Sequence, residues 1–155
     1  QDASEVIRRK PKQAEAYLFR AKSMKMLGQI PQALQDHSTA IQLQPTADAY
    51  YGRGLTYVRE FQGKDREALN DFTAATKLDP TTPNAYCNVG LAHYGLGHDA
   101  DGCQFLNTCY QKKDPNPLTR GYYETEVQKV LLARQSRRNG GGGTSRMRRS
   151  RHSTT

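Results

Sequence analysis

Proline stands at positions 11, 45, 80 and 115, at intervals of 34, 35 and 35 residues. Glycine keeps the same beat at Gly28, Gly63 and Gly97, and small residues keep it at Ala33, Ala68 and Gly102. A tyrosine preceded by alanine opens each unit, in Glu15-Ala16-Tyr17, Ala47-Asp48-Ala49-Tyr50 and Asn84-Ala85-Tyr86. Independent markers that agree on one period make an internal repeat. A repeat of this length predicts stacked supersecondary units, each burying its faces against its neighbours.

Each marker has a physical job. From the tyrosine to the glycine, apolar or small residues recur at helical spacing: Tyr17, Ala21, Met24 and Leu27, then Tyr50, Gly54 and Tyr57, then Tyr86, Gly90, Leu91 and Tyr94. That spacing makes one stripe on an α-helix. The glycine stops the helix, because it tolerates the left-handed conformation wanted just past a helix C-terminus. A second stripe follows in each unit: Ala33, Leu34, His37, Ala40 and Ile41; Ala68, Leu69, Phe72, Ala75 and Thr76; Gly102, Cys103, Leu106, Cys109 and Tyr110. Proline then ends the second helix. Thr82 before Pro83 reads as an N-cap followed by proline at the first helical position. Ala21, Gly54 and Gly90, opposite Ala33, Ala68 and Gly102, let two antiparallel helices approach closely. The expected architecture is all-α: an α-solenoid, a right-handed stack of antiparallel helix hairpins.

These residues resemble the tetratricopeptide repeat, whose pattern alternates large aromatic or apolar residues with small ones and ends on proline. Unit one supplies Tyr17, Ala21, Met24, Ala33, His37, Ala40 and Pro45, and unit two Tyr50, Gly54, Tyr57, Ala68, Phe72, Ala75 and Pro80, with extra residues in its turn around 61–64. Unit three supplies Tyr86, Gly90, His93, Gly102, Leu106 and Cys109, then Asp114-Pro115. His37 in a large apolar slot and a slip before Pro115 depart from the pattern. The expected organisation is the end of a preceding unit (1–13), units at 14–47, 48–82 and 83–116, a capping helix (117–138) and a flexible tail (139–155). Residues Ala3 to Lys10 read as a second helix whose partner is missing, so the chain is expected to be a piece of a longer protein. The apolar set Tyr123, Val127, Val130 and Leu131 predicts an amphipathic helix over 119–136 that closes the stack.

Charge divides sharply. The net charge is +8, yet residues 1–126 balance and all eight excess bases fall in 127–155, which holds no acid. A basic tail on a neutral body differs from a basic domain, so polyanion arguments apply to the tail alone. Arg146, Arg148, Arg149 and Arg151 carry the electrostatic alternative: docking on nucleic acid, an anionic membrane or an acidic protein surface. Gly140–Gly143 reads as a spacer, native or of the cloning type, and the arginine-rich end as disordered. No aromatic is interleaved there for base stacking. The odd cysteine count, three in all, excludes a disulfide framework and predicts reduced thiols in the cytosol or nucleus. No apolar run is long enough to span a bilayer.

Chemistry is hard to find. Asp99-Ala-Asp101-Gly102 lacks the closing glutamate of a calcium loop. Cys103 and Cys109 lie apart on one helix and suit no zinc site, and His93 and His98 do not repair this. Cys87, His93 and Asp99 have the residue types of a cysteine hydrolase without a supporting local context. The expectation is a non-catalytic protein-interaction scaffold with no cofactor and no metal.

In tetratricopeptide arrays the first helix of each hairpin lines a concave groove that holds a peptide. By position, the resemblance assigns to it Leu18, Phe19, Lys22 and Met26, then Tyr51, Leu55, Val58 and Arg59, then Cys87, Asn88, Leu91 and Tyr94. Such clusters would otherwise be exposed apolar surface, which marks interfaces. The family's carboxylate clamp for chaperone C-terminal tails needs lysines, asparagines and an arginine where this chain has Leu18, Lys22, Gly52, Asn84 and Asn88. A chaperone tail is therefore disfavoured, and a segment with apolar anchors and an acid near Lys22 or Arg59 fits better.

Overall fold

The computed structural model describes residues 2–61, 63–81, 83–112 and 117–140. They form the helices α1 (Ala3–Arg9), α2 (Ala14–Met26), α3 (Ile30–Leu43), α4 (Ala47–Glu60), α5 (Asp65–Leu78), α6 (Pro83–Leu96), α7 (Asp99–Lys112) and α8 (Pro117–Gly140). The helices pair as the repeat demands: α2 with α3, α4 with α5, α6 with α7, and each hairpin packs on the next. The helix α1 packs on α2 as the second helix of a preceding unit would, and α8 packs on α6. The cap is longer than the pattern predicted, 24 residues. The Thr82 cap, the Asp114-Pro115 stop and the arginines of 141–155 lie outside the described residues.

The turns follow from the glycines. Gly28, Gly63 and Gly97 take φ of +74°, +80° and +85°, the left-handed region that an L side chain enters only with strain. At the other ends, Thr46 caps α4 by accepting the Ala49 N–H at 3.3 Å.

The hairpins close on small residues. Ala21, Ala33, Ala40, Ala49, Ala68, Ala75 and Ala85 are all fully buried, as is Phe72. A Cβ on Gly54 would sit 2.8 Å from Phe72 Cε1, and one on Gly90 would meet the Gly102 carbonyl at 3.0 Å. Both distances are shorter than ordinary contact, so glycine is required where the helices cross. His37 fills its apolar slot in the same way: it is only 2% exposed and lies under Gly52, where a Cβ would collide with the ring. Its Nδ1 has no hydrogen-bond partner among the described residues. Burial, helped by the charge of Lys25, lowers its pKa to about 4.

Ion pairs unforeseen in the pattern tie each of the first two hairpins together. Arg20 forks onto Asp36 through two bonds of 2.7 Å. Arg53 does the same to Asp71 at 2.8 Å and also donates to Ser38 Oγ. Asp36 and Asp71 are each 4% exposed, so each carboxylate depends on its arginine. Unit three replaces the pair with Val89 and Phe105, which join the cluster around Phe72. The cysteines correct the expectation of reduced thiols. Cys87 on α6 and Cys109 on α7 form a disulfide with Cα atoms 5.2 Å apart, leaving only Cys103 free. The cytosolic or nuclear placement rested on reduced thiols and loses that ground.

Removing Arg53 strands a buried carboxylate, so Arg53→Ala should cost about 3–5 kcal/mol in urea unfolding, while Arg53→Leu with Asp71→Leu recovers most of it. A single variant as stable as the parent would show that the pair holds nothing together. For His37, the unfolded chain takes up the proton first as pH falls, because the folded value is the depressed one. Its contribution is complete above about pH 6.5 and is lost between 6.5 and 4. The melting temperature should fall through that window, and His37→Leu should flatten the fall. An unchanged slope in the variant would assign the pH dependence to other groups.

Candidate peptide-binding groove

The first helices α2, α4 and α6 line one face of the stack, and the predicted groove residues divide on it according to what covers them. On α2, Phe19 is 71% and Met26 88% exposed, with Lys22 also exposed. Leu18 is half-buried against Ala14, Ala40 and Ala49. On α4, Val58 is 41% exposed and Arg59 is open, whereas Tyr51 and Leu55 lean on the Phe72 cluster. The Tyr51 ring lies 5.8 Å from that of Phe72, and its burial raises the phenol pKa.

Unit three is different. Cys87 is fully buried in its disulfide, and Asn88 is 8% exposed. The Asn88 amide donates to Tyr51 Oη at 3.2 Å and to the Asn84 carbonyl at 2.9 Å. Neither residue offers its side chain to a partner, which corrects their placement in an open groove. Leu91 and Tyr94 pack on Leu106, Cys109, Tyr123 and Val127, beneath α8. That helix runs alongside α6 in the same direction: Tyr123 Oη donates to Asn84 Oδ1 near the start of α6, and Arg134 donates to the Tyr94 carbonyl near its end. The cap therefore covers the unit-three part of the face, and the open part is carried by α2 and α4.

Basic side chains gather beside the open apolar ones. Lys25 has its pKa lowered by burial and then by the positive charge of Arg59, while Glu60 opposes this and Lys22 adds the smallest lowering. The open apolar side chains thus adjoin crowded cations. A cleft of about 650 Å³ lies between α1 and α2, with Phe19, Met24 and Leu27 on its α2 wall and Val6 on its α1 wall. The hydrolase constellation does not assemble, since the disulfide consumes the Cys87 thiol and Asp99 pairs with Arg134. The residues dismissed as metal ligands in the sequence do come together in part: His93, His98 and Asp101 bring their ligand atoms within 4.8 Å of one another. The sequence signal for this is their arrangement around Gly97, which involves no cysteine.

Helix hairpins stacked so that their first helices share one face define a helical-repeat scaffold. The chain carries a tetratricopeptide repeat: the family model described as TPR repeat matches residues 62–97. Among its relatives, human tetratricopeptide repeat protein 13 is 35% identical over 97 residues, covering 62% of this chain and 11% of that protein. Tetratricopeptide repeat protein 36 of Xenopus tropicalis is 38% identical over 80 residues, 48% of this chain and 39% of its own. The Hsp70-Hsp90 organizing protein of Triticum aestivum is 36% identical over 77 residues, 50% and 13%. The chain thus spans well under half the length of these relatives. Solved structures share the fold. The Cut9 and Hcn1 hetero-tetramer of APC/C aligns at TM-score 0.71 and 20% identity over 86% of this chain and 25% of that one. MamA aligns at TM-score 0.65 and 16% identity, over 88% and 87%. The second TPR of Spaghetti (RPAP3), bound to an HSP90 peptide, aligns at 0.62 and 24%, over 66% and 95%. Proteins of this family generally mediate protein–protein interaction as non-catalytic scaffolds. No described helix is long and apolar enough to cross a membrane.

The disulfide sets a direct expectation. The denatured, unreduced chain should titrate one thiol, Cys103, and three after reduction. Reduction should lower stability by about 2–4 kcal/mol, as expected for freeing a loop of this size. Three thiols before reduction would remove the bridge from the account.

Proposed function

We propose that the face formed by α2 and α4 holds a peptide segment of a partner protein, extended or helical, within a larger assembly. The segment brings apolar anchors and at least one acidic side chain. The observation that carries this reading is the exposure of Phe19, Met26 and Val58 on the first helices of successive hairpins. Burying such side chains on binding is worth about 1.5–3 kcal/mol each. The crowding of Lys22, Lys25 and Arg59 supports the acidic component, because a carboxylate would relieve their mutual repulsion.

A chaperone C-terminal tail remains the poorer fit. One structural neighbour holds an HSP90 peptide, but Asn88, the one clamp-like amide here, is buried and its amide nitrogen already donates to Tyr51 and Asn84. The alternative, docking of the arginine tail on a polyanion, rests on residues outside those described.

Peptides selected from a displayed random library on the full chain should combine apolar residues with an acid. Phe19→Ser with Val58→Ser should weaken them about 30-fold or more, the loss of a hot spot, with helicity by circular dichroism unchanged because both side chains are exposed. Lys22→Glu with Arg59→Glu should weaken those peptides that carry an acid. Retained affinity in both double variants would sink the groove. Loss confined to a variant with Arg146, Arg148, Arg149 and Arg151 all changed to alanine, together with a steep salt dependence, would transfer recognition to the tail.

A further inference from the structure

We propose that His93, His98 and Asp101 form a binding site for one divalent transition-metal ion of the zinc class, seated on the turn between α6 and α7.

The turn itself delivers two of the ligands. The Gly97 N–H donates to the Tyr94 carbonyl at 3.1 Å, and the His98 N–H donates to the His93 carbonyl at 2.9 Å. This pair of bonds, with Gly97 left-handed, brings together the residues one either side of the helix end, where an apolar contact usually forms. Unit one makes the same two bonds around Gly28, and there the corresponding residues are Met24 and Gln29. In unit three both are histidines. The repeat's own turn geometry thus presents two imidazoles to each other.

Their spacing suits a metal. His93 Nδ1 and His98 Nδ1 are 3.4 Å apart. Metal–nitrogen bonds of about 2.0–2.1 Å at a tetrahedral angle would place two nitrogens about 3.3–3.4 Å apart. Asp101 Oδ2 stands 3.9 Å from His93 Nδ1 and supplies a third corner. Asp101 is exposed, so its side chain can close that short distance without disturbing the helices. The scaffold is firm: the His93 ring stacks on Phe105 with centroids 5.3 Å apart and an interplanar angle of 16°. The His98 carbonyl accepts the Gly102 N–H at 3.0 Å, which anchors His98 at the start of α7. The nearby cation, Arg134, is engaged by Asp99. Two imidazoles and one carboxylate suit zinc, cobalt, nickel or copper, whereas calcium and magnesium prefer all-oxygen shells. The fourth corner faces solvent and is free for water or a donor from another molecule.

The test uses the full chain, stripped with chelator and titrated with zinc chloride by calorimetry, with cobalt as a spectroscopic stand-in. One equivalent should bind, raise the melting temperature and, with cobalt, give visible ligand-field bands. His98→Ala should weaken zinc about 100-fold and abolish those bands, and Asp101→Ala should weaken it less, both with unchanged helicity. Cys103→Ser and His152→Ala should change nothing. Absence of zinc binding to the parent chain, or binding that survives His98→Ala, would overturn the site. Binding lost with Cys103→Ser or His152→Ala would also overturn it, by placing the ion elsewhere.

Discussion

The close crossing of helices on small residues is the constraint from which the rest of this molecule follows. A stack two helices thick has no deep interior, and this chain has only 35% apolar residues with which to fill one. Alanine and glycine at the crossings solve the problem by letting backbones approach, so that one ring such as Phe72 can fill the space between two hairpins. The same device explains the oddest core residue. His37 is tolerated because Gly52 above it leaves room for an imidazole, and the cost of burying that ring appears as a depressed pKa instead of as a displaced helix. Where packing is thin, polar links do part of the work, as the Arg20–Asp36 and Arg53–Asp71 forks do in the first two hairpins.

The fold was legible because its determinants are periodic. The glycine positions, the buried small residues and the opening tyrosines are local and repeated, so each copy reinforces the interpretation of the others. Pairings between helices are less legible, because they are relational. Cys87 and Cys109 occupy the same two places in unit three as Leu18 and Ala40 in unit one, which share a cluster there. The repeat register thus sets the two cysteines face to face. The Arg–Asp forks also recur between units, at matching positions three residues past Tyr17 and Tyr50 and past Ala33 and Ala68. Of the side chains assigned to a groove, those left open lie in the first two units. No single-helix pattern could tell that α8 would lie along α6 and cover Leu91 and Tyr94, because the direction of a capping helix depends on contacts remote in sequence, such as Tyr123 with Asn84.

Unit three emerges as the fixed part of the solenoid. The disulfide ties α6 to α7, Arg134 ties α8 to the end of α6, and the paired histidines flank Gly97 of the intervening turn. In a solenoid each unit stabilises chiefly its immediate neighbours. Locks placed in unit three therefore reinforce α5 and α4 first and reach α2 only through them. The exposed Phe19 and Met26 lie at the far end of that chain of contacts, on a helix that the disulfide does not touch. The anchored hairpin holds Asn88 against Tyr51 across the boundary between units two and three, whereas α2 is tied to its own hairpin by the Arg20–Asp36 fork and leaves Phe19 and Met26 exposed.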